Sequence, residues 1–388
     1  MSLLEDLPQH LIIKEAKTWE PGYAAKAALS PGAMRNGGAR GIKRLLRGSL
    51  HRLATLALQP DPQILWVPDA LRQGRRLLEE TRHAAIVASG PPFSTFLVGA
   101  ALSRHYGLPL VLDYRDEWSI SNAYMENKRP DLLSRTLQSW MQTSVVTTAR
   151  ALVATTNSSA RALETVCKRA RSEARVTWIY NGFDPEDFAD VSEHSHKTTD
   201  SGVYRLAYVG TLWNLTSVEP LVCGVEKLAA RNPNAAARLE LVFAGRRTPQ
   251  QSHLLSRLKD LPCRVVEHPY LDHHKALELV RSADGLCVLL TDVPAAARVV
   301  PAKIFEYMAA RRPILAISPK GELWELLAEY PAKCLAAPTD TDAIADYLES
   351  ELNRHARGPA PRFENWNPSQ HARPQQAEQL AELLNSLG

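Results

Sequence analysis

Pro301-Ala302-Lys303-Ile304-Phe305-Glu306-Tyr307-Met308-Ala309-Ala310-Arg311-Arg312-Pro313-Ile314-Leu315-Ala316-Ile317 runs as loop, helix and apolar strand. Proline suits the first helical position, where a missing N–H costs nothing, so the spacing predicts a helix over Ala302 to Ala310 that starts at Pro301. Pro313 stops it before a strand at Ile314 to Ile317. Lys303 falls in the first turn and Glu306 one turn on, so both share one side while Ile304, Phe305 and Met308 cover the other. A helix start with a lysine suits a diphosphate, and a carboxylate one turn deeper suits two ribose hydroxyls. On these residues alone, a solvated i,i+3 ion pair explains the spacing equally well.

Outward from this segment the chain alternates short apolar runs with amphipathic stretches. Strands are expected at Ala84 to Ala88, Pro109 to Leu112, Ala151 to Thr155 and Val176 to Tyr180, with helices at Phe93 to Tyr106, Leu132 to Ala149 and Ser159 to Lys168. A second alternating set runs from Leu206 to Ile317. Strand–helix alternation implies parallel sheets covered on both faces. The expected architecture is therefore α/β, with two doubly wound, Rossmann-like domains facing across a cleft. The boundaries read as 1–190 for the first domain, a polar linker at 191–202 and a second domain at 203–358. Leu11 to Lys14 is the only early strand candidate.

Composition narrows the class. The 388 residues are 45% hydrophobic and 23% charged, as in a water-soluble protein of two domains. No apolar run nears the roughly twenty residues of a membrane span, and the opening residues lack a signal-peptide pattern, so a cytoplasmic protein is expected. Five cysteines, Cys167, Cys223, Cys263, Cys287 and Cys334, are odd in number and widely spaced, as core thiols would be. Arg35, Arg40, Lys43, Arg44, Arg47 and Arg52 alternate with leucines over 35–56, a basic amphipathic pattern that suits either an anionic membrane surface at the inner face or a helix packed on a sheet. No nucleic-acid partner is expected at a net charge of +4. Asp340-Thr341-Asp342 and Asp272-His273-His274 read as helix caps, so no metal is expected. Walker, nucleophile-elbow and dinucleotide fingerprints are lacking, which argues against kinases, hydrolases and dehydrogenases.

Five more landmarks accompany the 301–317 segment in order: Ser89-Gly90-Pro91-Pro92-Phe93-Ser94, Asp113-Tyr114-Arg115-Asp116-Glu117-Trp118, Asn181-Gly182-Phe183-Asp184, Tyr208-Val209-Gly210-Thr211-Leu212 and Ala283-Asp284. Their joint order resembles the family 4 retaining glycosyltransferases of GT-B fold over roughly residues 80 to 350. The resemblance implies transfer of a sugar from a nucleoside diphosphate sugar to an acceptor hydroxyl with retention, commonly in polysaccharide or glycolipid assembly and with no separate cofactor. It implies that Glu306 binds the nucleotide ribose, that Tyr270-Leu271 reads the base through its backbone, and that the 366–388 helix crosses back onto the first domain. A sugar-nucleotide epimerase or a non-catalytic GT-B scaffold partner are the rival readings.

In open parallel sheets, ligands bind beyond the carboxyl ends of strands. Gly90, Pro91 and Asp113 fall there as expected cleft-lining residues, with Ser94 offering a hydroxyl at a helix start. Gly210 and Thr211 are expected to turn backbone N–H groups toward phosphate, and Lys303 and Arg115 to meet charge on the leaving diphosphate. Asp116 would orient the acceptor or a developing oxocarbenium ion. Where relatives carry an Arg and a Lys, this loop reads Trp213-Asn214-Leu215-Thr216, which leaves Arg246 or Arg247 to supply charge. The first of the family's paired glutamates falls on Arg298.

Overall fold

A computed structural model describes residues 8, 10–19, 56–118, 131–189, 202–358, 363 and 366–387. The basic stretch at 35–55 and nearly all of the expected 191–202 linker lie outside these. The chain divides into two compact units. One holds the described residues up to Ala154, Ala160–Trp178 and those from Leu383 on; the other holds Thr155–Ser159 and Ile179–Glu382.

The first unit is built on α1 (Val67–Glu80), β1 (Ile86–Gly90), α2 (Ser94–Tyr106), β2 (Leu110–Tyr114), α3 (Leu132–Val146), β3 (Ala151–Ala154), α4 (Asn157–Ala170, of which the part from Ala160 on belongs to this unit) and β4 (Arg175–Trp178). Its strands pair in parallel in the order β1-β2-β3-β4. Leu110, Val111, Leu112 and all of β3 are buried, as strands covered on both faces must be. Phe93, Phe96, Tyr114 and Trp118 pack as one aromatic group, with Phe93 stacked on Trp118 at 4.6 Å. Helix α1 was not read from the sequence, although Pro68 near its start and Val67, Ala70, Leu71 and Leu78 at helical spacing signal it. The expected strand at Leu11 to Lys14 is not formed: these residues pair with no strand among the described residues, and Leu11, Ile12 and Ile13 are each at least 50% exposed.

The second unit carries β5 (Tyr204–Val209), α5 (Glu219–Arg231), β6 (Leu239–Ala244), α6 (Pro249–Ser256), β7 (Arg264–His268), α7 (His273–Ser282), β8 (Gly285–Leu289), α8 (Lys303–Ala309), β9 (Ile314–Ile317), α9 (Glu322–Leu326), β10 (Lys333–Ala336), α10 (Thr341–Arg357) and α11 (Arg373–Asn385). Six parallel strands run β10-β9-β8-β5-β6-β7. Alternate residues feed opposite layers, as the two-residue period of a strand requires. Leu206, Tyr208, Leu241, Phe243, Leu315 and Ile317 meet α5 and α10, while Ala207, Val242, Leu286, Val288 and Ala316 meet α7 and α8. The chain leaves β5 toward β6 and returns on the other side at β8, so the strand order reverses between them. Loops diverge there, and the crevice at the carboxyl ends of β5 and β8 is where an open α/β sheet takes a ligand.

Candidate active site

At that reversal the backbone leaves β5 at Gly210, with φ 142°, a conformation that favours glycine. Lys303, the first residue of α8, lies against it: its Nζ sits 4.0 Å from the centroid of the Tyr208 ring. A Cβ on Gly210 would fall 2.3 Å from that Nζ, so a larger residue would push the cation off its present position. Among the described residues Lys303 forms no ion pair. Tyr307 holds the arrangement. Its buried hydroxyl accepts a hydrogen bond from Val209 N at 3.0 Å, which ties α8 to β5 one turn beyond the lysine. Sequence reading assigned Tyr307 no role; its i,i+4 spacing from Lys303 was the available signal.

Two expectations for this loop change. The helix starts at Lys303, not Pro301, because the preceding turn closes with an Ile304 N to Pro301 O bond of 3.0 Å. Of the two amides expected to meet phosphate, Gly210 N donates to Ala244 O at 2.8 Å, and Leu212 N, beyond Thr211, donates to Arg246 O at the same distance. Thr211 is exposed, while its carbonyl takes the Tyr208 and Thr216 hydroxyls at 3.0 and 2.6 Å. Lys303 is the formal positive charge beside this loop, where the Gly210 amide is already engaged.

Glu306 is half-buried on the same helix. Burial raises its carboxyl above the usual range, His273, Arg373 and Lys303 pull it back, and Asp187 adds to the rise. His273 is itself bound to Asp187 at 2.9 Å. Further along the strand ends, Arg246 lies over the Tyr270 ring at 5.6 Å, while Arg247 pairs with Glu267 at 3.0 Å. Tyr270 is 71% exposed, with half-buried Leu271 beside it. Arg298, at the position of the missing glutamate, closes a short turn whose carbonyl accepts the Thr156 hydroxyl at 2.9 Å.

Glu322 is buried and was not singled out from the sequence, although Gly321-Glu322 follows β9 at its carboxyl end. Its carboxylate accepts from the amides of Asn157 and Ser158, both at 3.1 Å, from the Ser158 hydroxyl, and from Tyr180 at 2.5 Å. Burial raises this carboxyl, but the hydrogen bonds outweigh burial and hold it below the usual glutamate range.

In the first unit, Asp113, the last residue but one of β2, accepts from the Ser89 hydroxyl at 2.7 Å, with Arg115 Nη1 at 3.4 Å. Arg115 N donates to Gly90 O at 2.9 Å, so the turns after β1 and β2 are tied together. Gly90 packs so closely on Phe96 that a Cβ would lie 3.0 Å from the ring, and Pro91 carries the chain on to α2. Asp116 is open to solvent; even so, surrounding protein raises its carboxyl by desolvation, with Arg115 opposing and Glu117 reinforcing. Ser94 is not available as expected: its amide donates to Asp61 at 2.9 Å and its hydroxyl accepts from Trp66 Nε1 at 3.1 Å. Asp340 and Asp272 cap α10 and α7 through Ala343 N and Lys275 N. The five cysteines are free thiols, three of them buried. No helix among the described residues is long and apolar enough to cross a membrane.

Two parallel α/β units of this kind are the architecture of the GT-B class. Sequence models match Glycosyltransferase Family 4 over residues 33–187 and Glycosyl transferases group 1 over residues 204–354. The chain belongs to the family 4 glycosyltransferases of GT-B fold. Among solved structures, Anabaena Alr3699/HepE in complex with UDP and glucose is similar with a TM-score of 0.56 and 17% identity, over 82% of each chain. The α,α-trehalose 6-phosphate synthase of Burkholderia multivorans gives a TM-score of 0.54 and 13% identity, over 83% of this chain and 76% of that one. At these identities the likeness is one of fold. Among curated proteins, none matches the chain.

Proposed function

We propose that the protein moves a hexose from a nucleoside diphosphate sugar to an acceptor hydroxyl with retention at the anomeric carbon, in cytoplasmic assembly of a polysaccharide or glycolipid. The observation that carries this reading is the Lys303 cation, without an ion-pair partner among the described residues, held on Gly210 and Tyr208 at the strand reversal. A diphosphate there gains a fixed positive charge that needs no reorganisation as the glycosidic bond to the leaving group breaks. Glu306, one turn on, takes the ribose hydroxyls; a raised carboxyl that donors can stabilise suits that task. Arg246 and exposed Tyr270 suit the base end, with the Leu271 backbone beside them. Asp116 and Arg115 are assigned to the acceptor and to developing charge, with Gly90, Pro91 and Asp113 shaping their turn. Fixed protein charge carries the leaving group in this scheme, and no metal is invoked. UDP and UDP-glucose occupy the Anabaena neighbour's complexes, which makes uridine donors the first choice for assay.

Purified protein with a panel of nucleoside diphosphate sugars and acceptor extract tests the proposal. A glycosylated product whose anomeric configuration matches that of the donor is expected by NMR. An inverted product contradicts retention, and donor isomerisation without any acceptor consumed points to an epimerase.

A further inference from the structure

A second concave site lies in the first unit, at the amino-terminal ends of β3 and β4, away from the strand ends where Asp113 and Asp116 sit. It is a cavity of about 550 Å³ lined by Arg150, Arg171 and Arg175 with Thr148, Ser172 and Ser386. Among the described residues none of the three arginines forms an ion pair; Arg175 Nη1 reaches Ser386 Oγ at 3.4 Å. Glu173 also lines the cavity and pairs with none of them. The hydroxyls are already donating, Thr148 to Ser144 O and Ser172 to Val146 O, both at 2.8 Å. The donor capacity left unspent in the cavity is therefore guanidinium N–H; three such groups outnumber the one carboxylate, Glu173, and match an anionic ligand that accepts.

Arg171 adds an independent observation. It closes α4 in a Schellman turn, with Ser172 N to Cys167 O at 2.9 Å and Arg171 N to Lys168 O at 3.2 Å, and its φ of 53° is left-handed. Glycine is the relaxed residue at such a position, so an arginine there is held against its backbone preference. Three like charges on one concavity also repel each other. An anion relieves that repulsion, and the planar forks of arginine match phosphate oxygens in pairs.

We infer that this cavity binds a phosphorylated ligand, distinct from the sugar donor, through Arg150, Arg171 and Arg175. The phosphate is either that of a soluble ester or diphosphate or that of a phospholipid headgroup. Calorimetry with pyrophosphate, and co-sedimentation with phosphatidylcholine vesicles with and without phosphatidic acid, separate these sources. Both are run on the full chain in a Lys303→Ala background, so that the strand-end cation does not contribute. Added Arg171→Gly is expected to weaken binding about tenfold or more while raising the unfolding temperature, because glycine relaxes the turn. Arg150→Gln with Arg175→Gln should weaken binding similarly without that rise. Arginine-dependent pyrophosphate binding without sedimentation identifies a soluble ligand, and arginine-dependent sedimentation specific to phosphatidic acid identifies a headgroup. The inference is overturned if neither probe binds, or if binding is equal with and without the arginines.

Discussion

The strand-end loops of the two units have the same βα origin and opposite electrostatic states. In the first unit, charge is consumed locally: Asp113 holds Ser89 and Arg115, and Asp61 caps the start of α2. In the second, the Lys303 cation rests on an aromatic face and a glycine, with no ion-pair partner among the described residues. A buried carboxylate of the same unit, Glu322, is occupied in holding backbone amides. A loop that neutralises itself gains stability from its charges, whereas one that leaves a cation unpaired keeps it for a ligand.

The strongest way to break this contrast is Lys303→Ala. Turnover should fall by about 100- to 1000-fold, the scale of a lost transition-state charge contact, with a small change in unfolding temperature. Steady-state kinetics beside thermal unfolding checks both halves; near-normal turnover removes Lys303 from the site. Glu322→Gln should do the reverse, costing about 2–4 kcal/mol of stability by urea unfolding because an amide cannot accept all the bonds the carboxylate takes. Its pH signature has a definite sign. Glu322 lies below its usual 4.5 in the folded protein, so its contribution is full above that value and is lost as pH falls through the folded pKa. Wild type should therefore lose more stability than Glu322→Gln on acidification from about pH 5. Glu306 and Asp116, both raised, act in the opposite sense and are common to both proteins.

Gly210→Ala sharpens the contrast by moving the cation without deleting it. The positive φ predicts a loss of about 1–3 kcal/mol in stability, and displacement of Lys303 Nζ by the new methyl predicts weaker diphosphate binding measured by calorimetry. Asp113→Asn should have the smallest effect, within about 1 kcal/mol by urea unfolding, since Asn still accepts from Ser89 and the arginine pair is partly exposed. A large loss there would show that the first unit's charges do more than satisfy each other.

Fold and the strand–helix order were legible because apolar period and punctuation by proline and glycine are local properties, and the family because its resemblance rests on short landmark segments in order. Lys303 and Glu306 were legible for the same reason, lying a turn apart on one short segment. What escaped depends on contacts distant in sequence. Tyr307 binds Val209, Glu322 binds residues near 157, and Asp61 caps a helix whose first residue is Ser94. The amide of Gly210 looked available because a loop sequence does not reveal that the neighbouring strand end at Ala244 takes it. Arg171 in a left-handed turn is likewise invisible to periodicity, since glycine is the residue that marks such turns.

The most direct test of the central claim is thermal unfolding with UDP, GDP, ADP and TDP, for wild type and Lys303→Ala side by side. One diphosphate should stabilise wild type by about 2.7 kcal/mol at a hundredfold excess over its dissociation constant, and that gain should largely vanish in the variant. No shift with any diphosphate, or the same shift in both proteins, would contradict the account of Lys303 as the cation kept for the donor.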